Sequence, residues 1–185
     1  MSTATARAYL PYFAGRFMPF EMRKSPQNKA FYGHKTTYSG EAHCIKDRVL
    51  LDPTCGTAGF LISAMHRMLT LADTDAQKKN IKKKQLHGFE LQSNMFAVAA
   101  ANMILRKDGN SNLECCDFLR KNPAQVQLKG ATVGLMNPPY SQGTKADPEQ
   151  YEISFIEHML DSLAIDARAA VIVPQSSMTG KSKAE

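Results

Sequence analysis

From about residue 48 to residue 173 the chain alternates short apolar runs with longer stretches of helical period, and this alternation constrains the fold more than any other feature. Residues 48–52 (RVLLD), 86–90, 113–116, 131–136 and 169–173 (AAVIV) read as five short strands. Between them, residues 57–71 place Phe60, Leu61, Ala64, Met65 and Met68 at helical spacing. Residues 94–105 read as a second helix, stopped at Asp108-Gly109-Asn110, and 153–163 as a third with Phe155, Ile156, Met159, Leu160 and Leu163 on one side. Residues 73–84 and the stretch broken at Pro123 read as polar connections. Largely apolar strands separated by helices imply a mostly parallel sheet covered on both faces, so the expected architecture is a doubly wound α/β domain over residues 47–175. Ahead of it, residues 1–46 read as an irregular basic segment, and 176–185 as a polar tail.

Composition narrows the function classes. A chain of 185 residues with 43% hydrophobic and 22% charged residues has the length of one globular domain. That balance excludes disorder, collagen and coiled coil as descriptions of the whole. No stretch approaches the roughly 18 to 20 apolar residues of a membrane span, and the N-terminus lacks the order of a signal peptide, so the expectation is a soluble, cytoplasmic protein. The formal charge of +6 is regional: residues 1–50 hold eight Lys or Arg against three Asp or Glu, and residues 78–84 pack five lysines into seven positions. Such blocks favour an anionic partner such as nucleic acid, or serve only as a solvated face. Cys44, Cys55, Cys115 and Cys116 form no C-x-x-C pair, and His34, His43, His66, His87 and His158 lack ligand spacing. The cysteines are expected reduced, as small buried side chains, and no metal is expected.

In a doubly wound sheet a ligand sits at the carboxyl ends of the strands, and three features fall there. Asp52-Pro53-Thr54-Cys55-Gly56-Thr57-Ala58-Gly59-Phe60 is a strand-ending acid followed by a small-residue turn. Gly56 and Gly59 let a ligand approach the backbone, while the acid repels phosphate, so a cationic ligand fits better than a dinucleotide. Glu90 ends the second strand, where a carboxylate can accept both hydroxyls of a ribose. Asp117 and Phe118 follow the third strand and could offer an acceptor for an adenine amino group and an apolar face for its ring. Each acid reads equally well as a helix cap. Asn137-Pro138-Pro139-Tyr140 ends the fourth strand: the Asn137 side-chain oxygen and the Pro138 carbonyl could both accept from one exocyclic amino group, with Tyr140 stacked on its ring. The plain alternative is a stiff turn with a half-buried aromatic.

The pair DPTCGTAGF at 52–60 and NPPY at 137–140, in that order, resembles the N-6 adenine-specific DNA methyltransferases, and most of all the modification subunit of type I restriction-modification systems. That family usually carries D-P-x-C-G-T-G-G-F, from which only Ala58 departs; GFELQ at 88–92, ANMILRKDGN at 101–110, and FIEHMLDSL with AAVIVP at 155–174 are similar too. The resemblance implies the Rossmann-like methyltransferase fold with S-adenosylmethionine as methyl donor. Asp52, Gly56, Thr57 and Gly59 would line its methionine end, with Thr54 and Phe60 beside them, Glu90 its ribose, and Asp117 and Phe118 its adenine. Asn137, Pro138, Pro139 and Tyr140 would hold a target adenine flipped from duplex DNA, for transfer to N6 by orientation rather than through a covalent enzyme intermediate. Implied partners are DNA and the specificity and restriction subunits, with no membrane and no metal.

Family members carry a helical domain before the sheet and two further strands after it; Phe31-Tyr32 is the one trace of the aromatic-led motif that precedes the first strand. A truncated chain with an unpaired apolar edge after residue 173 is therefore expected. An inactive cofactor- or partner-binding remnant, a protein-glutamine methyltransferase, and cytosine N4 as acceptor remain open. An ATPase is excluded, because Gln175 stands where a Walker motif ending at Gly180-Lys181-Ser182 needs glycine.

Overall fold

The computed structural model describes residues 17–23, 47–107, 112–140 and 152–174. In chain order they form β1 (Phe17–Arg23), β2 (Leu50–Asp52), α1 (Gly59–Thr70), α2 (Asp75–Lys84), β3 (Leu86–Glu90), α3 (Ser93–Leu105), β4 (Asn112–Cys115), a 3-10 turn (Phe118–Arg120), α4 (Pro123–Gln127), β5 (Val133–Met136), α5 (Glu152–Ser162) and β6 (Arg168–Pro174). The sheet runs β1-β6-β5-β2-β3-β4, with every neighbouring pair parallel except β1 against β6.

Side chains alternate across the strands and divide the core in two. Leu51, Met136, Ala169, Val171 and Val173 face α5, which brings Phe155, Ile156, Met159 and Leu160. Leu50, Val133 and Leu135 belong to the opposite cluster, covered by Leu61, Ala64, Met65 and Met68 of α1, Ile81 of α2, and Ala99 and Met103 of α3. Two glycines allow the close approach. A Cβ at Gly88 would lie 2.7 Å from side-chain carbons of both Leu113 and Leu61, and one at Gly134 would lie 2.9 Å from the Met159 sulfur. No helix among the described residues is long and apolar enough to cross a membrane.

Three elements differ from the sequence expectation. Residues 75–84 form a helix rather than a polar connection. Its start is fixed by a capping box in which Thr74 Oγ1 accepts from Gln77 N and Gln77 Oε1 accepts from Thr74 N. Pro123 opens a helix instead of breaking a loop, since proline suits the first helical turn and the Asn122 side chain caps it. The segment expected to be irregular contributes β1, which pairs along the whole of β6, so the edge expected to be open is covered. Pro19 is tolerated there because β1 is itself an edge strand. Cys115 is exposed, not buried. Cys44, Phe31-Tyr32 and the 176–185 tail lie outside the described residues.

Candidate functional site

The sheet order reverses between β2 and β5. They pair only through Leu50 with Val133 and Leu51 with Gly134; beyond that, Asp52 pairs with Gly88 of β3 while Leu135 and Met136 pair with β6. The loops leaving β2 and β5 diverge, and this is the crevice in which doubly wound sheets bind ligands. A cavity of about 260 Å³ opens there, lined by Pro53, Thr54, Glu90, Leu91, Gln92, Met95, Cys116, Asp117, Phe118, Asn137, Pro139 and Phe155.

One wall is built from backbone hydrogen bonds on carboxylates. Glu90 Oε2 accepts from Gly56 N at 2.9 Å and Oε1 from Gln92 N at 2.8 Å, so one side chain ties the loop after β2 to the start of α3. Cys55 N donates to Phe89 O and Cys116 N to Glu90 O, both at 2.9 Å, completing the seam. Asp52 is buried beneath this loop, where its Oδ1 accepts from Thr54 N at 3.3 Å. Burial, reinforced by the charge of Glu90, pushes its carboxyl up to about 8. The same burial, with the charges of Asp52 and Glu90, pushes the Cys55 thiol far up, and burial raises Cys116 as well, so neither is a poised nucleophile.

The loop from β2 to α1 takes a left-handed conformation twice, at Gly56 (φ +54°) and at Ala58 (φ +66°). The second falls on the single departure from the family's glycine pattern, and its methyl group is fully buried. Beyond the seam, Asp117 caps the 3-10 turn, accepting from Leu119 N at 3.0 Å, with Arg120 Nε 3.3 Å from its other oxygen. Glu114 anchors the same segment by accepting from Lys121 and Lys129, each at 2.8 Å.

The other wall is held by side chains. Asn137 is exposed and Pro138 buried behind it. The Asn137 carbonyl accepts from Thr54 Oγ1 at 3.1 Å across the crevice. Its Oδ1 accepts from the Tyr140 hydroxyl, which also lies 3.3 Å from the Ile172 carbonyl. Burial, followed by the charge of Glu152, raises the Tyr140 phenol.

Of the residues expected at the site, the cavity brings together Thr54, Glu90, Asp117, Phe118, Asn137 and Pro139. Asp52, Gly56, Thr57, Gly59, Phe60, Pro138 and Tyr140 do not line it. Thr57 and Gly59 are exposed nearby, and Phe60 packs partly against the α1 core. Phe118 is 3% exposed, its ring packed against Phe89 (centroids 5.3 Å apart) and His158 (4.7 Å), so it offers the cavity little surface. Leu91, Gln92, Met95 and Phe155 were not anticipated. Leu91 and Gln92 follow Glu90 directly and fall within the GFELQ stretch at 88–92, which is the sequence signal for them, while Phe155 reads as helix core.

The sequence model of the N-6 DNA methylase family matches residues 41–185. Over 140 residues the chain is 45% identical to the type II restriction enzyme and methyltransferase RM.BcgI of Heyndrickxia coagulans, covering 75% of this chain and 22% of that protein. It is 29% identical over 146 residues to the type I restriction enzyme StySPI methylase subunit of Salmonella potsdam, covering 69% and 27%. The chain thus spans about a quarter of the length of these relatives. Its fold superposes on the crystal structure of the type I restriction enzyme EcoKI M protein with a TM-score of 0.60, at 21% identity, over 72% of this chain and 32% of that one. The likeness gives the doubly wound sheet its type, the Rossmann-like methyltransferase fold. With a family match across more than three quarters of its length, the chain belongs to the N-6 DNA methylase family.

Proposed function

We propose that residues 47–175 form the catalytic domain of a DNA methyltransferase that moves a methyl group from S-adenosylmethionine to the N6 amino group of adenine. In this reading the chain serves as the modification part of a type I restriction-modification system, alongside specificity and restriction subunits in the cytoplasm. The observation that carries it is the junction at the switch point, where the acid-rich wall of β3 and β4 and Asn137 and Pro139 of the turn after β5 line one cavity.

The donor set fits a cationic, hydrogen-bond-donating cofactor. Glu90 and Asp117 are acceptors when ionised, and each oxygen of Glu90 keeps lone-pair capacity beyond its backbone bond. When bound, S-adenosylmethionine would supply an electrophilic methyl group on a sulfonium centre. Glu90 would accept from its ribose hydroxyls and Asp117 from its adenine amino group, with Phe118 and Met95 closing the apolar side. Asp52, Gly56, Thr57 and Gly59 would surround its methionine end, and the sulfonium charge would favour ionisation of the Asp52 carboxyl, which burial, reinforced by the charge of Glu90, keeps protonated up to about pH 8.

On the acceptor side, Asn137 Oδ1 and the Pro138 carbonyl would accept from the exocyclic amine and fix its orientation. Tyr140 would stack on the base, and Pro139 would keep the turn rigid. Base entry displaces the Tyr140 hydroxyl from Asn137 Oδ1, and the Ile172 carbonyl gives that hydroxyl a second acceptor.

Titration calorimetry with S-adenosylmethionine tests the cofactor assignment. Binding by the wild type, lost or strongly weakened in Glu90→Ala, is expected, and equal binding by both would remove it. The higher identity to RM.BcgI favours a second arrangement, in which this domain is one module of a single enzyme carrying both cleavage and methylation. Tandem purification that yields this domain within one long polypeptide, rather than with separate subunits, would decide for it.

A further inference from the structure

Beyond the ladder, the two strands that frame the crevice separate, and what then fixes their spacing is a matter of individual contacts. β2 and β5 stop pairing at Leu51 and Gly134, three residues short of Thr54 and of Asn137 respectively. Both outgoing loops are locally stiff: Pro53 precedes Thr54, Pro138 and Pro139 follow Asn137, and proline fixes its own φ. Across the opening the Thr54 hydroxyl donates to the Asn137 main-chain carbonyl at 3.1 Å, joining residues 83 apart in sequence. Thr54 itself is anchored from beneath, since its backbone N–H donates to Asp52. The hydroxyl therefore points away from its own loop and onto the residue that begins the acceptor turn.

We infer that Thr54 is a positioning residue, a strut that sets the separation of donor loop and acceptor turn, rather than a cofactor ligand. The inference rests on the proposed methyltransferase reading for its kinetic consequence and on the bond alone for its structural one. Transfer between two bound partners depends steeply on their separation, so a contact that touches neither can still govern the rate. A threonine methyl packed in place is not enough, because the constraint lies in the hydroxyl proton.

The test uses the complete modification enzyme containing this chain, as wild type, Thr54→Val and Thr54→Ser. Valine keeps the shape and deletes the donor, while serine keeps the donor. The expected result for Thr54→Val is a single-turnover methylation rate lowered about 10-fold. S-adenosylmethionine affinity should be unchanged, and Thr54→Ser should recover most of the rate. Weaker cofactor binding by Thr54→Val would make Thr54 a ligand and overturn the inference, as would an undiminished rate or a serine variant as slow as valine. Amide hydrogen exchange over residues 136–140 reads the strut without turnover: it should quicken severalfold in Thr54→Val and not in Thr54→Ser, and equal exchange in all three overturns it. A wild-type enzyme that transfers no methyl group counts against the proposed function, while the exchange comparison still decides the strut.

Discussion

The two walls of the crevice are made in different ways. The β3–β4 wall is preformed by main-chain donors converging on Glu90, whose two oxygens are held at 2.8 and 2.9 Å from Gln92 N and Gly56 N. The β5 wall hangs on side-chain hydroxyls, Thr54 on the Asn137 carbonyl and Tyr140 on the Asn137 amide. On the first wall a single ordered rotamer, that of Glu90, is held at both oxygens and flanked by main-chain bonds from Cys55 N and Cys116 N, whereas on the second wall each bond must order a side chain of its own. The two walls divide the labour: the first is tied down at several points before any ligand arrives, and the second can exchange partners, as the proposed base pocket would require.

Changes to the two walls should therefore separate cleanly. Asn137→Ala should lower methyl transfer by roughly 10² to 10³-fold or more in a single-turnover assay, because in the proposed reading it deletes the side-chain acceptor for the reacting amine. Its cofactor affinity should match wild type, and a parallel loss of both would merge the two walls into one. Glu90→Ala deletes a charged acceptor of two main-chain donors, and calorimetry should show cofactor affinity weakened by roughly 10- to 100-fold.

Asp52 sharpens the comparison through pH. Its folded-state carboxyl stands at about 8 against an ordinary 3.8, so between those values the folded protein binds a proton that the unfolded chain releases. Stability should fall as pH rises from about 4 to about 8 and level off above, and chemical denaturation of Asp52→Asn should lack that part of the slope. A cation beside Asp52 favours its ionised form, so cofactor affinity should rise over the upper part of the same range in wild type and stay flat in the variant. The smallest effect is expected at Ala58. At Ala58→Gly the relief of left-handed strain is offset by the lost buried methyl and the freer unfolded chain, so stability should stay within about 1 kcal/mol of wild type, read as a Tm nearly unchanged, with cofactor affinity unchanged.

What the sequence discloses depends on where each element is buried. Strands β2, β3 and β5 are readable because both of their faces are covered, which leaves runs such as Leu50-Leu51 and Leu135-Met136, whereas β4 is half-buried to exposed. Helix α2 is not readable by period, since Ile81 is its one buried side chain in DAQKKNIKKK, and its signal was the Thr74-x-x-Gln77 cap. β1, with Pro19 inside it, exists by pairing with a strand about 150 residues away, which no local pattern discloses. At the site, acids at strand ends were legible, because topology alone delivers Glu90 and Asp117 to one edge of the sheet. Phe155 was not, because an aromatic on the apolar side of α5 looks the same whether it meets core or cavity. The Thr54 bond to Asn137 likewise joins two loops that only the closed sheet brings together.

The account stands on a methyl donor held against β3 and β4 facing a nucleobase held by β5. The most direct measurement incubates the complete enzyme with unmodified DNA and methyl-labelled S-adenosylmethionine, then digests all products to nucleosides and amino acids. The expected result is label in N6-methyl-2′-deoxyadenosine from the DNA, lowered by roughly 10²-fold or more in Asn137→Ala. Label in a glutamine side chain or in N4-methylcytosine, or equal labelling by the Asn137→Ala enzyme, would contradict it.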